Sequence, residues 1–157
     1  MKTLQIKSPS FENDGYMPKK HTGFGADASP AFQLNNLDDG TVSIAITMDD
    51  LDIPFMEAYN HWLIWNIPKA NKIPENIPRS ASVASLRNAS QGVAYGKHRY
   101  RGPKQPFFIR STHRYVFRFY ALDCMLDLDS HTRKPALLAA MRGHILQEGS
   151  ITGKYKR

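Results

Sequence analysis

Three runs of alternating residues limit this chain to a β-rich fold. In "TVSIAITMD", Val42, Ile44, Ile46 and Met48 fall on one face and Ser43, Ala45 and Thr47 on the other. That two-residue period belongs to an extended strand. "HWLIWNI" is apolar on both faces, Leu63 with Trp65 and Trp62 with Ile64, so it reads as a central strand covered on both sides. "HRYVFRFYALD" sets Tyr115, Phe117 and Phe119 on the face that carries His113, and its aromatic and β-branched residues suit a pleated surface.

Helical spacing is confined to "TRKPALLAAMRGHILQEG". There Leu137, Met141 and Ile145 make an i, i+4 stripe, Thr132 is a plausible N-cap, Pro135 falls in the first turn and Gly149 is a natural stop. "PKANKIPENIPRSASVASLRNASQG" carries three prolines among small polar residues and predicts a long irregular connection. Strands early and a helix late imply a mainly β protein, an antiparallel β-sandwich with one or a few peripheral α-helices. With 157 residues, 41% of them hydrophobic, the chain reads as a single domain over residues 1–157.

The net charge of +7 is spread through "KKH", "KHRYR", "HR", "RK" and "GKYKR", which favours anionic partners in a general way. "KHRYRGPKQPFFIRSTHRY" interleaves basic and aromatic residues as a single-strand binder does. No nucleic-acid motif accompanies it, so nucleic acid is disfavoured and the basic surface reads as solvated. "MKTLQIKSPSFENDG" lacks the apolar segment of a secretion signal, and no apolar run is long enough to span a bilayer. The expectation is a cytoplasmic protein that does not span a membrane. The one cysteine, Cys124, cannot close an internal disulfide and reads as a small core or semi-buried residue. "GFGADAS" at 23–29 has no strand-to-helix context, and the phosphate loop, nucleophile elbow, paired Cys-x-x-Cys and two-histidine zinc helix are all missing from the sequence.

The chemistry gathers at strand ends. "MDDLDIP" stops one strand with Asp49, Asp50 and Asp52, while His61 and His113 open two others. Two carboxylates and two histidines suit a zinc or iron site. They equally suit general acid and base work, because an Asp beside a His fixes its tautomer and raises its pKa. They also suit plain structure, with the acids capping a turn and the histidines packed among aromatics. Patterning leaves all three open.

Read in order, "MDDLDIP", "HWLIWNIP", "YRGPKQP", "HRYVFRFYALD" and "MRGHILQEGSITGKYKR" resemble the phosphatidylethanolamine-binding protein family, in its bacterial and archaeal branch related to Raf kinase inhibitor protein. "PKKHTGFGADASPAF" extends the resemblance through Gly25, Ser29 and Pro30. The resemblance implies a β-sandwich and a small pocket for phosphate, acetate or a phospholipid head group. By position it assigns ligand binding to Asp50, Asp52, His61, Gly102, Pro103, Pro106, His113 and Tyr115, with Pro54 closing the turn. It also implies regulatory partners of the kinase or peptidase class and leaves a homodimer open.

The chain departs from the family pattern at three places. Leu51 replaces the proline between the acids, Gln105 replaces the first proline of a pair, and "PFFIRSTH" is longer and poorer in glycine. Phe107, Phe108 and Arg110 are therefore expected at the mouth. A carboxylate bonded to one ring nitrogen keeps an imidazole charged or oriented, so both histidine pKa values are expected to rise. Tyr115 and backbone N–H groups near Gly102 would complete the donors without any lysine. No nucleophile is evident, so no enzyme and no cofactor are called for. The alternative is a metal-assisted hydrolase built on Asp50, Asp52, His61 and His113.

Overall fold

The computed structural model describes residues 3–157; Lys2, which falls in the N-terminal leader reading, lies outside them. The elements run β1 (Gln5–Lys7), β2 (Gly15–Tyr16), β3 (Phe32–Asn35), β4 (Ser43–Asp50), β5 (Tyr59–Pro68), β6 (Lys72–Ile73), β7 (Ser82–Val83), β8 (Ala89–Gln91), β9 (His113–Leu122), α1 (Lys134–Met141) and β10 (Ile145–Tyr155). They form a three-stranded sheet, β1-β3-β6, and a seven-stranded sheet, β2-β10-β9-β4-β5-β8-β7.

Alternation explains where the core lies. Ile44, Ile46 and Met48 of β4, Trp62 and Ile64 of β5, and Tyr115, Phe117 and Phe119 of β9 share one buried cluster with Ile6, Phe32, Leu34 and Ile73 of the smaller sheet. The Phe32 ring lies 5.1 Å from that of Phe117 and 4.9 Å from that of Phe119. On the opposite face Ala45, Leu63, Trp65, Tyr120 and Leu122 pack with Leu137 and Met141 of α1. β5 is thus covered on both sides, which is why it tolerates apolar residues at every position from Trp62 to Trp65.

Three expectations need correction. The large sheet is mixed, because β2 pairs with β10 in parallel, Gly153 opposite Gly15 and Lys154 opposite Tyr16. So many residues separate those two strands that no hairpin dictates their direction. The helix is shorter than its stripe: it ends at Met141 and has Arg133, not Thr132, at its N-cap, with no side-chain cap bond. Ile145 opens β10 and Gly149 sits inside it, paired with Phe119, since the neighbouring strand offers this segment a full ladder of hydrogen bonds. Finally, the connection after β5 is not wholly irregular, for β6, β7 and β8 lie within it.

Candidate functional site

Register brings the strand-end residues together. Asp50, the last residue of β4, lies opposite Tyr115 of β9 on one side and Tyr59 of β5 on the other. Strict alternation would turn His61 away from Trp62 and out of this cluster. The β4–β5 pairing slips there, with Met48 opposite Trp62 but Asp49 opposite Asn60, so His61 is the extra residue of a bulge. It consequently joins Tyr115, its ring 5.4 Å from the tyrosine's.

These residues line a cavity of about 70 Å³ formed by Asp50, Ile53, His61, Tyr95, Arg101, Lys104, Gln105, Pro106, Ile109, His113 and Tyr115. The volume suits a group of a few heavy atoms, well below the roughly 300–1,000 Å³ of sites for drug-sized ligands. Asp50 and His113 form the wall, with side chains 5% and 3% exposed and Nδ1 of His113 2.8 Å from Oδ2 of Asp50. Oδ1 of Asp50 accepts the Asp52 N–H at 2.9 Å. A carboxylate only accepts, so Nδ1 of His113 carries the proton. Nε2 of the same ring is buried and has no hydrogen-bond partner in the chain.

His61 behaves differently. Its Nδ1–H donates to the Arg101 carbonyl at 2.8 Å, and its Nε2 is 3.4 Å from the Tyr95 hydroxyl. Burial pushes its pKa down, against smaller upward pulls from that carbonyl and from Asp50. The expectation of a raised pKa is therefore corrected here, because desolvation of the imidazolium outweighs the nearby acid. Burial, then the Asp50 charge, pushes the Tyr115 phenol upward, so it stays a neutral hydroxyl. Positive charge comes instead from Arg101, whose guanidinium lies 4.2 Å from the Tyr95 ring centroid, and from Lys104.

Of the eight positions assigned by resemblance, Asp50, His61, Pro106, His113 and Tyr115 line the cavity, whereas Asp52, Gly102 and Pro103 do not. Asp52 accepts the Arg114 backbone N–H at 2.7 Å and that guanidinium at 2.9 Å through both oxygens; these side-chain bonds hold its pKa down. The Gly102 N–H is given to Oδ1 of Asp27 at 2.8 Å, so it is not free for a ligand. A Cβ on Gly102 would stand 2.0 Å from the His21 carbonyl oxygen, and this close approach fixes the loop. The Pro103 carbonyl accepts the Gly23 N–H. Phe107 and Phe108 are 69% and 71% exposed and pack on each other, centroids 5.5 Å apart. Neither they nor Arg110 line the cavity.

Sequence reading missed Ile53, Tyr95, Arg101, Lys104 and Ile109, and treated Gln105 only as a departure. The signal for Arg101 and Lys104 was the basic run "KHRYRGPK", which carries no mark of which side chains turn inward. Among the described residues, the group of three His, Cys, Asp or Glu side chains whose ligand atoms lie within 4.8 Å of one another is Asp123, Cys124 and His144. No such group of three forms in the Asp50, Asp52, His61 and His113 set, where Asp50 pairs with His113, Asp52 with Arg114 and His61 with the Arg101 carbonyl.

The phosphatidylethanolamine-binding protein family model matches residues 7–156. The chain belongs to that family. It is similar to a UPF0098 protein of Archaeoglobus fulgidus, 39% identical over 156 residues that span 99% of this chain and 52% of that protein. The chain therefore covers about half the length of that relative. A UPF0098 protein of Methanothermobacter thermautotrophicus is 34% identical over 98% of this chain and 99% of its own length. Among solved structures, a phosphatidylethanolamine-binding protein homologue from Chlamydia trachomatis superposes with a TM-score of 0.86 at 27% identity, covering 100% of this chain and 99% of that one. YbcL of E. coli, described as a member of the mammalian family, reaches a TM-score of 0.87 at 22% identity over 99% of each chain, which supports the fold alone. Among the described residues no helix is long and apolar enough to cross a membrane.

Proposed function

We propose that this family member is a binding protein whose cavity takes a small anion of the phosphate class, free or as the head group of a phospholipid. The observation that carries this reading is Nε2 of His113, buried and without a partner in the chain, on a ring whose other nitrogen is held by Asp50 at 2.8 Å. When the ring is protonated that atom donates a charge-assisted hydrogen bond, and Arg101 and Lys104 in the same wall supply the remaining positive charge. Asp50 does not repel the ligand outright, because both its oxygens already accept N–H groups. A regulatory action on a protein partner such as a kinase or peptidase, in the cytoplasm, would use the surface around this cavity.

Calorimetric titration with inorganic phosphate, O-phosphoethanolamine and vesicles containing phosphatidylethanolamine tests the reading and separates free anion from lipid. Binding should weaken about ten- to a hundredfold in His113→Ala, the value of one charge-assisted hydrogen bond of roughly 1.5–3 kcal/mol. Lys104→Ala should weaken it as well. If none of the three ligands binds, or if His113→Ala binds phosphate as the parent does, the reading is wrong.

A further inference from the structure

A second cavity of about 270 Å³ adjoins the first and shares its Arg101 and Lys104. Its remaining charged members are Arg79, Arg99 and Asp27, so four cationic side chains face one carboxylate. That carboxylate is fully engaged: Oδ1 accepts the Gly102 N–H at 2.8 Å and Oδ2 pairs with Arg99 at 2.5 Å. Arg79 donates to the Ala26 carbonyl at 2.7 Å and more weakly to that of Asp27 at 3.4 Å. Neutral carbonyls orient a guanidinium without cancelling its charge. Lys104 has its stem laid on the backbone of Gly23, where an added Cβ would meet its Cδ at 2.7 Å and its Cβ at 2.9 Å. The "GFGADAS" stretch, which has no role in the first cavity, thus forms the floor of the second. It is tied to the 101–104 loop by the Gly23 N–H to the Pro103 carbonyl at 2.8 Å.

We propose that this second cavity is a further anion site, and that the two cavities together take one small molecule bearing two separate phosphate-type groups. Arg101 and Lys104 sit between the groups and face both. Three charges left over from the Arg99–Asp27 pair, held at the junction of two cross-tied loops, distinguish the cluster from scattered solvated lysines and arginines. The double-anion ligand rests on the reading of the first cavity, while the second site needs no ligand there, resting on Arg79 and the 23–27 floor together with the shared Arg101 and Lys104.

Titrating isotope-labelled protein with inorganic phosphate while recording resonances of the Arg79 side chain and the Gly25 and Asp27 amides, beside those of His113, tests the two sites separately. Saturable shifts in the Arg79 and Asp27 group are expected. If only the His113 group shifts, the second site is overturned and the first reading stands. If only the Arg79 group shifts, the second site stands, while both the first reading and the double-anion ligand fall. If neither responds, all fall. A series of alkylene bisphosphonates of increasing length, compared with methylphosphonate, then tests the joined ligand. The best bisphosphonate should bind on the order of 100-fold more tightly, since its second contact is intramolecular. Arg79→Ala, on an exposed side chain, should remove that gain and leave methylphosphonate binding at His113 unchanged. A bisphosphonate series no tighter than methylphosphonate, or an Arg79→Ala protein that loses both ligands equally, overturns the double-anion ligand.

Discussion

Replacing Asp50 and His113 singly and together measures the pair on which the cavity wall depends. In Asp50→Ala, the buried Nδ1–H of His113 loses its acceptor, an orphaned donor worth about 1–3 kcal/mol. The Asp52 N–H, previously 2.9 Å from Oδ1, belongs to a half-buried residue and can turn to water at little cost. In His113→Ala, Asp50, buried in the parent, keeps the Asp52 N–H and the Tyr115 hydroxyl but loses its ring donor, and breaking a buried pair in this way costs about 3–5 kcal/mol. Removing the carboxylate also returns its desolvation penalty, so the single values shift in either direction, and the coupling between them is the quantity that decides. The double variant should lose less than the sum of the singles by about 1.5–3 kcal/mol, the value of a hydrogen bond to a charged group. Urea unfolding followed by the fluorescence of buried Trp62 and Trp65 reads this directly. With a slope of about 2 kcal/mol per molar, losing 3 kcal/mol moves the midpoint by about 1.5 M. If the double variant equals the sum of the singles to within about 0.5 kcal/mol, the two side chains do not act as a pair and the fixed tautomer of His113 has no basis.

Burial depresses the pKa values of both His61 and His21, so below about pH 6.5 the unfolded chain takes up more protons than the folded one. Stability should be full above that value and decline on acidification until the folded-state values are passed; a melting temperature unchanged between about pH 7 and pH 5 contradicts the burial argument. Gly102→Ala places a Cβ 2.0 Å from the His21 carbonyl oxygen and should cost about 3 kcal/mol or more by displacing the loop; circular-dichroism melts at parental temperature would show that the loop gives freely. Replacing Phe107 and Phe108 with serine should change stability by no more than about 0.5 kcal/mol, since both rings are exposed. A loss several times larger in urea would mean that they pack against the core.

Alternation along "TVSIAITMD", "HWLIWNI" and "HRYVFRFYALD" determined by itself that the chain is mainly β, that β5 is covered on both sides, and that Asp50 and His113 stand at strand ends. These are local facts, because side-chain direction along a strand follows directly from position. Alternation did not show that β4 is buried on both faces or that β5 begins at Tyr59, two residues before His61. The family resemblance assigned eight positions to one pocket, which spacing alone left open, and five of them, Asp50, His61, Pro106, His113 and Tyr115, line the cavity. The β10 segment was illegible, since "ILQEGSITGKY" has burial only at scattered positions and becomes a strand through its partner β9. Only the tertiary structure decided the face of His61, through a bulge that depends on how β5 registers against β4. It alone turned Arg101 and Lys104 inward and spent Asp52 on Arg114. It also set the sign of the His61 pKa shift, because a histidine among acids rises or falls according to how much water it keeps, and burial is a property of the packed fold rather than of neighbours in sequence.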